Sequence, residues 1–269
     1  MPLPWYRGAK HRRALFLCNV GLGDQIDLIG AIRYIAQFHS EMHVPCFSKN
    51  YNTLVEFFSD EPRIRPIIIN NEWYHKRRLL CLGTDAPLEA IDFRASDYVA
   101  VYRSGYFTSP HHDMHPDYMI PICFYNDLRI DPQIQHTHFR IPENTESKNL
   151  YATVKNMRYI FVQQQSSDNF TSLIVWDIDE RFTIDPNVNV YPVGHRWHAL
   201  AQTFVNIPFP HYTDTMIHAT ELHVVNSAFR CLAAHLPLEA TIKKCYSRYT
   251  GEHIPEWTFN WHNPTSPSQ

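Results

Sequence analysis

The sequence has no apolar stretch long enough to cross a bilayer or to form the core of a signal peptide. This predicts a protein that works where it is made, with any membrane contact peripheral. It has no C-x-x-C pair: the six cysteines, Cys18, Cys46, Cys81, Cys123, Cys231 and Cys245, stand apart. Cys18 and Cys231 fall inside apolar runs, so buried free thiols in a reducing, cytoplasmic setting are expected. No sign of charge dominates either. The 24 Lys and Arg are interspersed among 27 Asp and Glu, for a formal net charge of −3, and no basic face is set out for nucleic acid. What remains is ordinary for a globular chain: 269 residues, 44% hydrophobic and 19% charged, with room for one large domain or two compact ones.

The apolar runs are short and alternate with helical patterns. Ala14 to Val20 is nearly continuous in apolar residues, as in a buried parallel strand. It meets the turn Gly21-Leu22-Gly23-Asp24, after which Ile26, Ile29, Ile32, Ile35 and Ala36 recur at helical spacing. Met42 to Phe47 reads as a second strand. Asn52 to Phe58 reads as a helix capped by Asn52 or Thr53, Arg65 to Ile69 as a third strand, and Tyr98 to Tyr102 as a fourth. Strand and helix in alternation predict a parallel doubly wound sheet. Residues 104 to 148 are rich in Pro, His, Asp and Asn and read as loop with one helix. The pattern then restarts, with strands at Tyr159 to Gln164, Asn189 to Val193 and Leu222 to Val225. Helices are expected at His198 to Val205, Thr213 to Thr220 and Ser227 to His235. The fold class is α/β with two Rossmann-like halves, residues 1–148 and 149–269.

Three turns follow strands and are candidates for a ligand. Gly21 and Gly23 let a ligand approach the backbone directly after the first strand. A dinucleotide fingerprint would need a third glycine where Ile26 stands, so a nicotinamide enzyme is disfavoured. Asp24 fits either an acid facing a ligand or a plain helix cap. Gln163 to Asn169 is a polar turn at the end of the strand that opens the second half. Asn226-Ser227-Ala228 follows a short strand and opens a helix, where Ser227 serves equally as a cap or a phosphate contact. His111, His112 and His115, with Asp113 and Asp117, supply ligand types for zinc or manganese but lack the spacing that presents two imidazoles together. His136 with His138 and His195 with His198 are no better placed. Lys243, Lys244 and Arg248 form a small basic group.

Residues 19 to 35, N-V-G-L-G-D-Q-I-D-L-I-G-A-I-R-Y-I, resemble the opening of the lipopolysaccharide heptosyltransferases and related glycosyltransferases of the GT-B fold. Residues 219 to 236, A-T-E-L-H-V-V-N-S-A-F-R-C-L-A-A-H-L, are similar to the nucleotide-sugar stretch of the same superfamily. There Asn226 and Ala228 replace the Asp and Gly usual in the turn. The resemblance implies two Rossmann-like halves facing each other across a cleft, the first taking the acceptor and the second a nucleotide-sugar donor. It implies Asp24 as the base, Gly21 and Gly23 as the acceptor or phosphate loop, and Gln165, Ser166, Ser167, Glu221, Asn226 and Ser227 as the donor set. It further implies inverting transfer to a hydroxyl of a glycan or glycoconjugate, with no cofactor and no metal required. A non-catalytic nucleotide-binding module would keep the phosphate turns without needing Asp24.

Overall fold

The computed structural model describes residues 13–18, 21–69, 93–104, 120–166, 180–247 and 252–253. The chain divides into two compact units, Met1–Pro142 and Glu143–Gln269. The break precedes the expected boundary because the helix Thr145–Ala152 belongs to the second unit, where the Ser147 hydroxyl oxygen accepts from the Asp214 N–H at 2.8 Å.

The first unit holds a four-stranded parallel sheet in the order β3-β2-β1-β4, from β1 (Arg13–Leu17), β2 (Glu41–Phe47), β3 (Ile64–Ile69) and β4 (Ala100–Arg103). Ala14, Leu15, Phe16 and Leu17 are all buried, as a strand covered on both faces requires. The helices are α1 (Leu22–Asp27), α2 (Ile29–Ala36), α3 (Ser48–Phe57), α4 (Ile120–Asp127) and α5 (Ile134–Thr137). The helix expected from Asn52 begins instead at Ser48, directly off β2, and its N-cap Phe47 makes no side-chain cap bond. Residues 104–148 carry helices where mostly loop was expected. The polar residues read as loop formers start or precede these helices: Asp131 Oδ1 accepts from Gln133 N–H at 2.9 Å, and Asn144 Oδ1 caps the helix at Thr145 by accepting from Ser147 N–H at 3.0 Å.

The helical pattern through Ile26, Ile29, Ile32, Ile35 and Ala36 falls on two helices, α1 and α2, and a tyrosine divides them. In an unbroken helix the Ala31 N–H would donate to the Asp27 carbonyl. The fully buried Tyr125 hydroxyl sits between them instead, accepting from Ala31 N–H at 3.2 Å and donating to Asp27 O at 3.1 Å. A hydroxyl inserted into the helical ladder is one of the few causes of a sharp helix break. Gly30 permits the contact. A methyl group there would lie 2.7 Å from the Ile134 carbonyl oxygen and 2.9 Å from the Tyr125 hydroxyl. Arg33, buried on α2, donates to Phe57 O at 2.8 Å and Asp60 Oδ1 at 2.6 Å, so the charge enters the core with its acceptors.

The second unit begins with α6 (Thr145–Ala152) and holds a second parallel sheet, β6-β5-β7-β8, from β5 (Tyr159–Gln163), β6 (Phe182–Ile184), β7 (Glu221–Val225) and β8 (Ile242–Tyr246). Between the strands lie α7 (His198–Gln202), α8 (Thr213–Ile217) and α9 (Ala228–Ala233). The strand expected at Asn189 to Val193 is not formed, and β6 takes its place. Asn189 Oδ1 captures the Tyr191 N–H at 3.0 Å, a local bond that competes with a ladder, and Pro192 has no N–H to give. Tyr191 serves the sheet through its side chain: its hydroxyl accepts from Thr183 N–H at 2.7 Å and donates to Arg181 O at 3.0 Å, covering the free edge of β6. The basic pair Lys243 and Lys244 lies within β8, in register with Leu222 and His223.

Candidate functional site

In each sheet the winding reverses once. In the first, β2 and β3 lie to one side of β1 and β4 to the other; in the second, β6 lies to one side of β5 and β7 to the other. The carboxyl ends of β1 and β4, and of β5 and β7, therefore flank a topological switch point, where open α/β sheets bind ligands. The three candidate turns read from the sequence follow β1, β5 and β7, at these points.

At the first, the chain leaves β1 and enters α1 through Gly21, the N-cap residue, whose carbonyl accepts from Gln25 N–H at 3.1 Å. Asp24 is therefore not the cap. It is the third residue of α1, half-buried, with its carboxylate turned back so that a methyl group on Gly21 would lie 3.2 Å from Asp24 Oδ2. Gly23 stands between them in the first turn. Gln25 is wholly buried and donates to Pro45 O at 2.9 Å, fixing α1 to β2. Across the switch point Ser104 closes β4, its N–H donating to Leu17 O and its hydroxyl to Phe124 O, each at 2.9 Å.

At the second switch point the side chains of two loops meet. Gln163 ends β5 and is buried; its Oε1 accepts from the Ser227 hydroxyl at 2.9 Å and its amide N–H donates to the Gln165 carbonyl. Ser227 caps α9 by accepting from Phe229 N–H at 3.3 Å, and Asn226 N–H donates to Tyr246 O at 2.9 Å. One glutamine thus ties the loop after β5 to the loop after β7. Ser166, 5% exposed, lies in the first of these loops, and its hydroxyl has no hydrogen-bond partner among the described residues. A buried hydroxyl with no partner is costly, and a ligand oxygen would satisfy it. Ser167 lies outside the described residues, as do Arg248 and the group His111 to Asp117.

Glu221 is not with them. It opens β7, while Ser227 lies beyond that strand's other end, and four steps of about 3.3 Å separate the two ends of the strand. Its carboxylate pairs with Arg181 and takes a hydrogen bond from His223 Nε2 at 3.2 Å. An ionised carboxylate only accepts, so His223 carries its proton on Nε2, and Nδ1 accepts from the Tyr246 hydroxyl at 2.9 Å. Burial holds the imidazole in its neutral form, with a pKa lowered to about 4 although the bond to Glu221 opposes this.

Sequence reading passed over Asp185. It directly follows β6 and is 3% exposed. Its carboxylate accepts from the Gln164 side chain at 3.1 Å, from Asn187 N–H at 2.8 Å, and from the backbone N–H groups of Gln164 and Val188. Burial outweighs these donors and raises its pKa to about 6. The available signal was an Asp directly after a short apolar strand and before a proline, which the misplaced strand at 189–193 hid.

Among the described residues no group of three His, Cys, Asp or Glu side chains is placed to hold a metal ion, and no helix is long and apolar enough to cross a membrane. His195 stacks on Tyr191 at 4.6 Å, and His198 Nδ1 lies 2.8 Å from the Tyr191 carbonyl. His138 packs edge-on to Tyr34 at 5.1 Å. Cys18, Cys46, Cys231 and Cys245 are buried, and Cys123 is half-buried.

No protein-family model matches the chain, and no curated protein matches its sequence. Among solved structures it is similar to the iron-containing dodecameric glycosyltransferase TibC of enterotoxigenic E. coli, with a TM-score of 0.51 and 15% identity over 88% of this chain. The chain spans 59% of the length of that protein. A family 9 glycosyltransferase from Veillonella parvula matches with TM-score 0.47 and 11% identity, covering 87% of this chain and 85% of its own. The ADP-heptose heptosyltransferase II of E. coli matches with TM-score 0.46 and 11% identity, covering 86% and 83%. The likeness to the first establishes a shared two-sheet α/β fold.

Proposed function

We propose that the chain is a glycosyltransferase that takes a nucleotide-sugar donor at the switch point of its second unit and moves the sugar to a hydroxyl of a glycan or glycoconjugate. The observation that carries this is the junction of Gln163, Ser166 and Ser227. Two loops separated by more than sixty residues converge at the carboxyl ends of β5 and β7, joined by the 2.9 Å bond from Ser227 to Gln163. In the first of these loops the Ser166 hydroxyl is buried with no partner among the described residues. A hydroxyl donor such as that of Ser166 suits an oxygen of a diphosphate. The fold shared with a solved glycosyltransferase supports the same reading. Asn226 and Gln165 complete the donor set as backbone and loop neighbours; Glu221, occupied with Arg181 and His223, is left out of it.

In this proposal Asp24 is the general base. The acceptor oxygen forms a bond to the anomeric carbon as the bond from that carbon to the diphosphate oxygen breaks. The acceptor proton passes to the Asp24 carboxylate and the nucleoside diphosphate leaves with the bonding electrons. A single displacement inverts the anomeric centre and asks for a base and hydrogen-bond donors, without a metal ion. The enzyme is proposed to act in the cytoplasm.

Titration with ADP, GDP, UDP and CMP, followed by melting temperature and calorimetry, tests the donor site. One nucleoside diphosphate should bind and raise the melting temperature, and Ser166→Ala should weaken it. A diphosphate found in a crystal only at Gly21 to Asp24 would reverse the donor and acceptor assignments.

A further inference from the structure

We infer that Asp185 is a positioning residue for the donor site, acting through Gln164 to set the loop that carries Ser166. The inference rests on the donor site proposed above. Gln163 and Gln164 are successive residues at the end of β5 and their side chains go opposite ways. The Gln163 amide reaches to Ser227 on the β7 side, and the Gln164 amide reaches to Asp185 on the β6 side. The loop from Gln164 to Ser166 is therefore held from both flanks. On one flank the holder is a neutral hydroxyl. On the other it is a buried carboxylate that takes the Gln164 side chain and backbone N–H together with two N–H groups of its own loop.

A carboxylate that is 3% exposed is a costly choice for a structural turn. Its burial outweighs the donors and drives its pKa up to about 6, so the folded chain gives up stability to keep it ionised near neutrality. An asparagine would satisfy the Asn187 and Val188 N–H groups through its one oxygen, but would turn an N–H toward the Gln164 backbone N–H and could meet the Gln164 side chain only if that amide turned over. What the charge adds over the amide is the hold on Gln164. Two residues further on stands Ser166, whose hydroxyl has no partner among the described residues and depends on the loop backbone for its place.

The test is calorimetric titration with whichever of ADP, GDP and UDP binds the unaltered protein. Asp185→Asn should weaken that binding about five- to tenfold, the scale of one lost charge-assisted hydrogen bond. Gln164→Leu, which cuts the same bond from the other partner, should weaken it comparably, and it serves where Asp185→Asn fails to fold. Asp185→Asn combined with Gln164→Glu restores a carboxylate–amide pair with the donor reversed, and should recover most of the affinity. A structural role alone would leave the double variant no better than the single one. Affinity unchanged in Asp185→Asn, or lost without recovery in the double variant, would overturn the inference while leaving the donor site standing. If none of the three nucleotides binds the unaltered protein, the donor site fails and this inference fails with it.

Discussion

Two buried titratable groups of the second unit are set against each other, and the stability of the chain near pH 5 depends on their balance. Asp185 has its pKa raised to about 6 by burial. Against a reference near 3.9, a rise of about two units corresponds to about 3 kcal/mol. The folded state binds this proton more tightly than the unfolded one. The contribution of Asp185 to stability is thus fully present below about pH 4 and is lost as the pH rises to about 6. His223 has its pKa lowered to about 4, chiefly by burial. Its folded state resists protonation, so its contribution is present above about pH 6.5 and is lost as the pH falls toward 4. Allowing for solvent screening, this amounts to about 2 kcal/mol.

The two windows overlap and their slopes have opposite sign, so from pH 4 to 6.5 they should largely cancel. Each single variant exposes the other group. In Asp185→Asn only His223 remains, and stability should fall by about 2 kcal/mol as the pH drops from 6.5 to 4. In His223→Gln only Asp185 remains, and stability should fall by about 3 kcal/mol as the pH rises over nearly the same range. Urea denaturation at half-unit intervals gives these curves; the difference of each variant from the unaltered chain removes the contributions of more distant carboxylates and isolates the replaced group, about 3 kcal/mol for Asp185→Asn and about 2 kcal/mol for His223→Gln, with opposite signs. Glu41, Asp60 and Glu61 are such carboxylates: neighbouring Arg and His side chains hold them below their usual range, against the opposing effect of burial. Difference curves that are flat for both variants would show that neither group is buried as described. Curves of the same sign would show that one assignment is inverted.

Ser227→Ala takes the donor from Gln163 Oε1 and unties the two loops, and should weaken nucleotide binding by about 1 kcal/mol by calorimetry, the scale of that one hydrogen bond. Asp24→Asn should leave nucleotide affinity unchanged and lower the transfer rate by roughly 10²- to 10⁴-fold if Asp24 is the base. An unchanged rate would remove that role. Tyr125→Phe strips a partner from both Asp27 O and Ala31 N–H and should cost about 2 kcal/mol in urea denaturation, whereas an unchanged midpoint would mean that the helix closes its own ladder. Gly30→Ala places a methyl 2.7 Å from the Ile134 carbonyl oxygen. The overpacking, about 1–3 kcal/mol, should outweigh the gain of about 1 kcal/mol in helix propensity and lower the melting temperature.

Much of the fold was legible because parallel strands covered on both faces announce themselves as short apolar runs. Ala14 to Val20, Met42 to Phe47, Tyr159 to Gln164 and Leu222 to Val225 read as strands, and strands stand at Arg13–Leu17, Glu41–Phe47, Tyr159–Gln163 and Glu221–Val225; strand succession then put the candidate turns at carboxyl ends. What sequence could not show is where a side chain substitutes for a backbone partner. The Tyr125 hydroxyl breaks a helix from 94 positions away, and the Asn189 side chain unmakes a strand whose apolar spacing was acceptable. β8 was missed because an edge strand carries lysines, which read as a solvated surface.

The reading of Glu221 as a donor ligand has a structural answer in the first unit. There β2 opens with Glu41, and His43 follows two residues later, with its Nε2 2.9 Å from Glu41 Oε1 and its Nδ1 3.0 Å from the Tyr98 hydroxyl. Arg13 pairs with the same carboxylate at 3.1 Å. In the second unit β7 opens with Glu221, His223 lies between Glu221 Oε2 and the Tyr246 hydroxyl, and Arg181 pairs with the carboxylate. Glu-x-His at the start of a parallel strand, with a tyrosine beyond the imidazole and an arginine on the acid, thus occurs in both units. In the first unit none of these residues stands at the carboxyl ends of β1 and β4, where the candidate turn lies. The shared requirement is physical: a histidine within a sheet needs one acceptor and one donor for its two nitrogens, and strand periodicity puts the residue two positions earlier on the same face. The glutamate supplies the acceptor, and the arginine offsets the cost of its charge. Glu221 therefore follows from the need to seat His223, and Glu221→Gln should disturb the stability of the second unit while leaving nucleotide affinity alone.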